Sequence, residues 1–460
     1  MRIDPVIFRQ YDIRGTVGKD LTADVARAVG RAVGSEARKR LGRAPNLAVG
    51  RDNRPSGTSL QSALMEGLLS TGASVIDVGL VPTPVLYFAI VQVGADGGVQ
   101  VTGSHNPPEF NGFKMVLQSL PFSGEDIQDL LQRIQKDDFA EGTGSRRTED
   151  VLAAYRGEIV RRIGKLPRPV KVVVDCGNGT GSVAAPQLLR ELGADVIELF
   201  CESDGSFPNH HPDPTVLENL HDIQAKVKQT GAELGIAFDG DADRIGAVDE
   251  HSAVLAGDQI LIILGRDMTK RLGKGREVIF DVKCSDTLPQ ALEQAGAKPV
   301  MWMTGHSFIK KKMKESGAPL AGEMSGHMFF GAPDYLGFDD ALYAASRVLR
   351  IVAEGGKGLA RLLADVPRLV STPEIRVDTT EAKKLPAVKA AAKYFSAKYD
   401  TVTIDGVRWR TPEGWGLIRS SNTQPILVMR FEARTAQGLD AIRQEAVTVL
   451  AAEGVSVPQG

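Results

Sequence analysis

VKVVVDCGNGTG, residues 170–181, is a run of β-branched residues that ends in a polar turn rich in glycine. A helical stretch follows and closes at Gly193-Ala194, and the chain then continues as Asp195-Val196-Ile197-Glu198-Leu199. Glycine directly after a helix is typical of a C-terminal cap, because it readily adopts the left-handed backbone that ends the last turn. The segment therefore predicts one strand–helix–strand unit.

The same order of elements occurs twice more. One copy begins with a strand at 46–50 and ends with one at 74–78, and the other runs from 277–282 to 299–302. These apolar runs do not alternate with polar residues, which indicates strands that are covered on both faces in parallel or mixed sheets. We therefore predict an α/β fold with three similar α/β domains and mixed sheets, at residues 1–150, 151–254 and 255–367.

The remaining segment, 368–460, has a different pattern. Residues 401–410 contain Asp405-Gly406, a dipeptide that favours a tight hairpin. Further strand-like runs and two helical stretches are expected at 415–419, 426–431, 381–397 and 436–452. Strands that follow one another through short turns predict a smaller α+β C-terminal domain with an antiparallel sheet.

Length and charge set the broad class of the protein. The chain has 460 residues, and about three or four domains are expected at that length. Its net charge of −2 gives no basic bias towards nucleic acid or an anionic membrane, so neither is expected as a partner. Three cysteines without a CxxC motif, and an N-terminus without the apolar core of a signal peptide, predict a cytoplasmic protein.

Thr102-Gly103-Ser104-His105-Asn106-Pro107 follows the strand-like run 97–101. Gly103 frees the backbone before the serine, and Pro107 prevents the turn from continuing as a helix. A serine presented on such a loop can act as a nucleophile or carry a phosphate. A serine hydrolase is not indicated, because the chain contains no Gly-x-Ser-x-Gly motif.

A second loop, Asp239-Gly240-Asp241-Ala242-Asp243-Arg244, ends the apolar run 234–238. Its three carboxylates repel one another unless a cation lies among them, and oxygen ligands select Mg²⁺ or Ca²⁺. An EF-hand loop requires glycine at its sixth position, where this chain has Arg244. An aspartyl-phosphate phosphotransferase with Asp239 as nucleophile remains an alternative on this loop alone.

Two further loops have polar groups suited to a sugar phosphate. Glu323, Ser325 and His327 alternate along 322–327, which predicts one polar face of an extended loop for sugar hydroxyls. Residues 419–425 combine arginine, hydroxyl and amide side chains with free backbone N–H groups, a combination that favours a phosphate-binding loop.

Taken together and in order along the whole chain, these loops and Tyr11-Asp12-Ile13-Arg14-Gly15 resemble those of the α-D-phosphohexomutase family. The variant Glu-Met-Ser-Gly-His is similar to the branch that acts on both glucose and mannose phosphates. The resemblance implies that Ser104 carries a phosphoryl group, and that Asp239, Asp241, Asp243 and a phosphoserine oxygen hold Mg²⁺. It implies catalytic or substrate-binding roles for Tyr11, Arg14, Lys114, Arg244, Lys283, His306, Glu323, Ser325, His327, Arg419, Ser421, Asn422 and Thr423.

The expected reaction is reversible phosphoryl transfer between O1 and O6 of a hexose phosphate, through phosphoserine and a hexose 1,6-bisphosphate. His327, Lys114, His306 and Arg14 are all candidates for the acid/base group, and the sequence does not rank them. The sugar also stays open, since a phosphoglucosamine mutase of the same family is an alternative. We further expect a monomer or weak dimer, and hinge motion of the fourth domain while the bisphosphate turns.

Overall fold

The computed structural model describes residues 3–356, 358–421 and 425–457. These residues form four domains in sequence order, each with its own sheet. The prediction of three similar α/β domains and a smaller α+β C-terminal domain is confirmed. Within the described residues, no helix combines the length and the apolar character needed to cross a bilayer.

Domain I has the sheet order β1-β5-β4-β2-β3-β7, with β6 paired to β5. The predicted strands β2, β3 and β4 are parallel, whereas β5 runs antiparallel to β4 and carries β1. Its elements are β1 (Ile13–Thr16), α1 (Ala23–Leu41), β2 (Asn46–Arg51), α2 (Gly57–Leu69), β3 (Ser74–Leu80), α3 (Thr83–Gln92), β4 (Gly97–Val101), β5 (Phe110–Leu117), β6 (Leu120–Pro121), α4 (Glu125–Gln135) and β7 (Arg146–Thr148).

Domain II has the sheet order β12-β11-β10-β8-β9. Strands β8, β9 and β10 are parallel, and β11 returns antiparallel beside β10, so that the loop between them lies at the carboxyl end of β10. Its elements are α5 (Leu152–Ile163), β8 (Lys171–Asp175), α6 (Ala185–Leu192), β9 (Asp195–Leu199), α7 (His221–Thr230), β10 (Leu234–Phe238), β11 (Ile245–Asp249) and β12 (Val254–Leu255).

Domain III repeats this plan with the order β14-β13-β15-β16, in which β15 is parallel to β13 and β16 returns antiparallel. Its elements are α8 (Gly257–Leu272), β13 (Glu277–Asp281), α9 (Thr287–Ala295), β14 (Lys298–Trp302), α10 (His306–Ser316), β15 (Leu320–Gly322), β16 (Met328–Phe330), α11 (Ala341–Gly355) and α12 (Leu359–Leu362).

Domain IV is an antiparallel sheet of order β17-β22-β21-β20-β19, with β18 paired to β22. Its elements are β17 (Val370–Ser371), β18 (Ile375–Asp378), α13 (Glu381–Ser396), β19 (Asp400–Val402), β20 (Val407–Arg410), β21 (Gly414–Ser420), β22 (Ile426–Ala433) and α14 (Ala436–Ala452). The two predicted helices and the Asp405-Gly406 hairpin agree with these bounds.

The packing joins domains I to III more closely than domain IV. One apolar cluster includes buried side chains from all three α/β domains, for example Leu86, Leu188 and Leu261. Domain IV has a separate cluster around Trp409, which stacks on Phe395 at a centroid distance of 3.7 Å. Domains I to III therefore share a core, whereas domain IV has its own core and joins domain III through a small apolar cluster of Val282, Trp415 and Leu417.

Domains II and III are also joined by a buried polar contact. The carboxylate of Asp340, at the start of α11, accepts hydrogen bonds from the Tyr155 hydroxyl at 2.9 Å and from the Tyr343 backbone N–H at 2.9 Å. Burial disfavours the charged form and raises the pKa of Asp340 to about 7, although these donors act in the opposite direction. Asp340 is therefore a titrating group within the folded interior.

Asp340→Asn should reduce the loss of stability that accompanies rising pH. The folded state holds this proton up to pH about 7 while the unfolded state releases it near pH 3.8, so ionisation lowers the stability of the wild type across that window. The variant does not ionise there. Denaturant midpoints at pH 4, 6 and 8 should therefore show a relative advantage of the variant that grows with pH.

Asp137→Asn is the matched control, because the Asp137 side chain is 82% exposed. It should follow the wild type at every pH. Parallel midpoints for the wild type and Asp340→Asn from pH 4 to 8 would contradict a raised pKa at Asp340.

Candidate functional site

Four loops meet in one cleft between the domains. Each follows a strand: β4 in domain I, β10 in domain II and β21 in domain IV, which the sequence predicted, and β15 in domain III, which it did not. Direct contacts connect them: Ser104 to Asp239, Arg244 to His327, and Arg419 through Asp405 to Thr304. Residues that are distant in sequence thus form a single site.

The serine loop is held in a strained, closely packed conformation. Ser104 has a φ of 51°, which is unusual for a residue with a side chain. Its N–H donates to the Thr102 hydroxyl at 2.8 Å, and its own hydroxyl donates to the carboxylate of Asp239 at 3.1 Å. His105 Nδ1 also lies 3.1 Å from this hydroxyl. The loop therefore presents the Ser104 hydroxyl directly to the acidic loop of domain II.

A buried guanidinium holds the serine loop from behind. Arg54 is 1% exposed and donates to the backbone carbonyls of Ser104 at 2.7 Å, Asn106 at 2.5 Å and Phe110 at 3.0 Å. It also donates to the carbonyl of Pro107 at 2.5 Å. A Cβ at position 103 would lie 2.5 Å from the Arg54 guanidinium, so glycine is required by this close approach.

The acidic loop turns tightly at the end of β10. Asp239, Asp241 and Asp243 are fully buried, and one oxygen from each lies within 4.8 Å of the others. One oxygen of Asp239 accepts from the N–H groups of Asp243 and Arg244, both at 3.1 Å, which fixes the turn. One oxygen each of Asp241 and Asp243 is buried without a hydrogen-bond partner. The donor set is therefore suited to a hard cation.

Domain I supplies the groups that balance this buried charge. Lys114 on β5 contacts Asp241 at 2.7 Å and Asp243 at 2.5 Å, and the Thr83 hydroxyl donates to Asp241 at 2.5 Å. Burial alone would lower the pKa of Lys114, but the carboxylates raise it overall. Burial raises the pKa of Asp239, with repulsion from Asp243 and Asp241 adding to the effect. Lys114 is therefore held as a cation in this state.

The loop of domain III is a tight turn, where the sequence predicted an extended one. Gly326 has a φ of 93° and its N–H donates to the Glu323 carbonyl at 3.0 Å, since β15 and β16 must join over a short distance. Glu323 is buried, its carboxylate accepts from the Gly305 N–H at 2.5 Å, and burial raises its pKa. Ser325 is half-buried, and His327 Nε2 accepts from Arg244 Nε at 3.0 Å.

The loop of domain IV is described only in part. Arg419 is buried at the end of β21 and donates to Asp405 at 2.9 Å, and Ser421 donates its N–H to Ile426 at 3.0 Å. The predicted site residues Asn422 and Thr423 lie outside the described residues. Asp405 also accepts from the Thr304 N–H at 3.0 Å, so the same carboxylate connects Arg419 with domain III.

The remaining predicted residues line the same cleft. The Tyr11 hydroxyl donates to the Thr304 carbonyl at 2.9 Å, which brings domain I against domain III. Arg14 donates to Asn106 at 2.8 Å within the serine loop. The His306 ring lies 5.7 Å from that of His327, and burial lowers the pKa of His306. Lys283 is buried 3.2 Å from Glu374, and the carboxylates around it raise its pKa.

Sequence reasoning missed four polar residues that support the site. Arg54 lay in a turn predicted only as a connection, and Thr83 gave no signal of its own. Asp339 precedes α11, a helix that the sequence did not predict, and Asp405 was interpreted only as part of a hairpin. Each acts through long-range contacts, so a local pattern does not reveal it.

Arg54→Lys should loosen the serine loop. The single ammonium of lysine cannot reproduce the planar guanidinium of arginine, which donates to four carbonyls. Each buried acceptor that is left unpaired lowers the stability of the fold by about 1–3 kcal/mol. We expect a lower unfolding midpoint and faster amide exchange across residues 103–110, measured by hydrogen–deuterium exchange. Arg51→Lys, at a half-buried neighbour, is the control and should leave that exchange unchanged. Unaltered exchange in Arg54→Lys would contradict the proposed support.

Comparison with known proteins places this geometry in one family. Models of the phosphoglucomutase/phosphomannomutase domains I, II and III and of the C-terminal domain match residues 5–141, 153–252, 256–369 and 374–449. A phosphomannomutase/phosphoglucomutase of Pseudomonas aeruginosa is 48% identical over 453 residues, with 98% of this chain and 97% of the relative covered. A phosphoglucomutase of Neisseria gonorrhoeae is 45% identical, with 96% of each chain covered.

A solved structure of a phosphoglucomutase/phosphomannomutase family protein from Burkholderia thailandensis is similar over its whole length. It covers 100% of both chains with a TM-score of 0.92 at 45% identity. All four domains are thus matched in order and at high identity, and the chain belongs to the phosphoglucomutase/phosphomannomutase family.

Proposed function

We propose that this chain interconverts hexose 1-phosphates and hexose 6-phosphates, with mannose and glucose phosphates as substrates, by intramolecular phosphoryl transfer. The enzyme is an isomerase of carbohydrate metabolism. The observation that carries the proposed site is the contact between the Ser104 hydroxyl and Asp239 at 3.1 Å, because it joins the serine loop and the acidic loop in one centre.

Ser104 is the proposed phosphoryl carrier. The bond between its Oγ and phosphorus breaks as the free hydroxyl oxygen of the sugar bonds to phosphorus, which gives a hexose 1,6-bisphosphate. The bisphosphate then turns, and its other phosphate returns to Ser104. The left-handed backbone of Ser104 and the four contacts of Arg54 keep this hydroxyl in place during both transfers.

Asp239, Asp241 and Asp243 are the proposed ligands of Mg²⁺, together with an oxygen of phosphoserine 104. The buried oxygens of Asp241 and Asp243 that lack a partner fit this assignment. When bound, Mg²⁺ would supply positive charge against the phosphoryl oxygens and the serine leaving group. Lys114, at 2.7 Å from Asp241, supplies part of that charge from the chain itself.

His327 is the best-placed acid/base candidate. Its Nε2 accepts a hydrogen bond from Arg244 Nε, so this nitrogen is unprotonated, as a base for the sugar hydroxyl must be. Lys114 is held as a cation by Asp241 and Asp243, which suits it to charge neutralisation, and Arg14 is a permanent cation. We assign His306, whose pKa is lowered by burial, to substrate contact beside His327.

The other residues are proposed to bind the two ends of the substrate. Glu323 and Ser325 contact sugar hydroxyls. Arg419, Ser421, Asn422 and Thr423 hold the phosphate that is not reacting, with Tyr11, Arg14, Arg244 and Lys283 around the cleft. Arg14, Arg244, Lys283 and Arg419 give the cleft a concentration of cations that favours a bisanionic ligand although the whole chain is nearly neutral.

Two rival chemistries are less well supported. An aspartyl-phosphate mechanism on Asp239 would leave the serine loop without a role, although the Ser104 hydroxyl contacts Asp239 at 3.1 Å. A phosphoglucosamine mutase would share the same catalytic centre and differ only in the sugar.

We also propose a monomer or weak dimer, and a cytoplasmic location, which the three free thiols favour.

Ser104→Ala should abolish turnover. The assay follows conversion of mannose 1-phosphate, glucose 1-phosphate and glucosamine 1-phosphate to their 6-phosphates by ³¹P NMR, with Mg²⁺ and a catalytic amount of hexose 1,6-bisphosphate. The wild type should turn over the mannose and glucose substrates, and the variant should lose at least about 10³-fold because it has no carrier oxygen. Ser59→Ala, at an exposed position of α2, is the control.

The same samples distinguish the aspartyl alternative. Phosphate transferred to the protein from labelled bisphosphate should survive acid, as a serine ester does, and should be absent from Ser104→Ala. An acid-labile label that persists in the variant would overturn the proposed carrier. Faster turnover of glucosamine 1-phosphate than of the other two would reassign the sugar.

Lys114→Met should make the stability of the protein more dependent on Mg²⁺. Without Lys114, the three buried carboxylates lose their nearest cation. A bound Mg²⁺ is then no longer repelled by the lysine ammonium. In thermal unfolding, the variant should lie below the wild type in EDTA and gain more from added Mg²⁺. Lys314→Met, at an exposed lysine, is the control. An equal gain in both proteins would contradict the assigned metal ligands.

A further inference from the structure

A second group of buried polar side chains lies behind His327, on the side away from Arg244. It consists of Asp339, Lys310 and His306. The distance from His327 Nδ1 to Asp339 is 3.2 Å, and that from Lys310 Nζ to Asp339 is 2.8 Å. Asp339 itself is fully buried.

The hydrogen bond from Arg244 determines where the proton of His327 resides. Arg244 Nε carries a hydrogen at all accessible pH values, and it points at His327 Nε2 at 3.0 Å. Nε2 must therefore be the acceptor, and the ring hydrogen must be on Nδ1. His327 Nδ1 lies 3.2 Å from an oxygen of Asp339 and 3.5 Å from an oxygen of Asp243, and all three atoms are buried without another hydrogen-bond partner.

Asp339 is the better acceptor of the two. Its other oxygen is anchored by Lys310, which also lies 4.4 Å from the ring centroid of Tyr87. Burial alone would raise the pKa of Asp339, but Lys310 and the two histidines keep it well below its ordinary value, so the carboxylate stays charged. Asp243, in contrast, belongs to the acidic loop and is paired with Lys114.

We propose that Asp339, held by Lys310, is a positioning residue that keeps His327 in the Nδ1–H tautomer, so that Nε2 is unprotonated, as a base for the sugar hydroxyl must be. The inference rests on the role of His327 in the proposed function. It extends that role by naming the residue that orients the imidazole, in the way that a buried carboxylate orients the histidine of a catalytic triad.

A metal site is the rival interpretation of the same atoms. Asp243, His327 and Asp339 each offer a ligand atom, and these lie within 4.8 Å of one another. A metal on Nδ1 would require a hydrogen on Nε2 of the neutral ring, which would then face the hydrogen of Arg244 Nε. The Arg244 contact and a metal at Nδ1 are thus incompatible, and the proton is the better occupant.

Asp339→Asn tests the proposal through the tautomer. Lys310 requires an acceptor, so the amide oxygen should turn towards Lys310 and the amide NH₂ towards His327. A donating NH₂ group favours a His327 Nδ1 without a hydrogen, so the ring hydrogen moves to Nε2. There it points at the hydrogen of Arg244 Nε, and the two repel each other. Long-range ¹H–¹⁵N spectra of histidine-labelled protein, recorded at pH about 9, well above the ordinary pKa of a histidine side chain, report the tautomer directly.

The wild type should show a protonated Nδ1 and a bare Nε2 for His327, with the signal assigned by its loss in His327→Gln. In Asp339→Asn the pattern should shift towards Nε2–H, kcat should fall on the order of 10²-fold and KM should change little. Asp334→Asn, at a largely buried carboxylate that is paired with Arg271, is the matched control and should change neither.

An Nε2–H tautomer in the wild type would overturn the proposal without any variant, so a folding defect in Asp339→Asn does not leave it untested. An unchanged tautomer and unchanged kcat in Asp339→Asn would overturn it as well. If saturation with Zn²⁺ abolishes the contact between Arg244 and His327 and shifts the Nδ1 resonance of His327, the metal site is favoured and the proposal is overturned. The tautomer is measured without turnover. A failure of the proposal for Asp339 can therefore be distinguished from a failure of the proposed phosphoryl transfer through Ser104.

Discussion

Three carboxylates buried at the junction of domains I and II are the constraint on which the site depends. Asp239, Asp241 and Asp243 cannot share a small volume unless positive charge and hydrogen-bond donors are brought to them. Lys114 and Thr83 of domain I provide these groups, and the Ser104 hydroxyl completes the set. The same electrostatic requirement that would attract a divalent cation therefore also docks the two domains against each other.

Close backbone approach makes this docking specific. A Cβ at position 240 would lie 2.5 Å from the Ser104 carbonyl oxygen, so only glycine lets the acidic loop reach the serine loop. Gly103 plays the corresponding part against Arg54. The cleft is thus built from contacts that tolerate little displacement, which suits a reaction whose rate depends mainly on positioning and charge.

The sequence predicted what is local in this molecule. The strand–helix–strand units, the hairpin at Asp405-Gly406 and the loops after β4, β10 and β21 follow from apolar runs and turn residues. The antiparallel strand β5 escaped prediction, because its pairing with β1 and β4 is set by distant segments. Arg54, Asp339 and Asp405 escaped for the same reason, since their partners lie on other elements or in other domains.

The packing also indicates which domain is held least firmly. Domains I to III share one apolar cluster, and separating them would expose that core to water. Domain IV meets domain III through one small apolar cluster, Val282 with Trp415 and Leu417, and through polar contacts such as Arg408 with the carbonyl of Cys284 at 2.8 Å. This apolar contact is far smaller than the core shared by domains I to III, and water can replace the polar contacts at a modest net cost. Rotation of domain IV is therefore the least costly way to make room for a bisphosphate to turn.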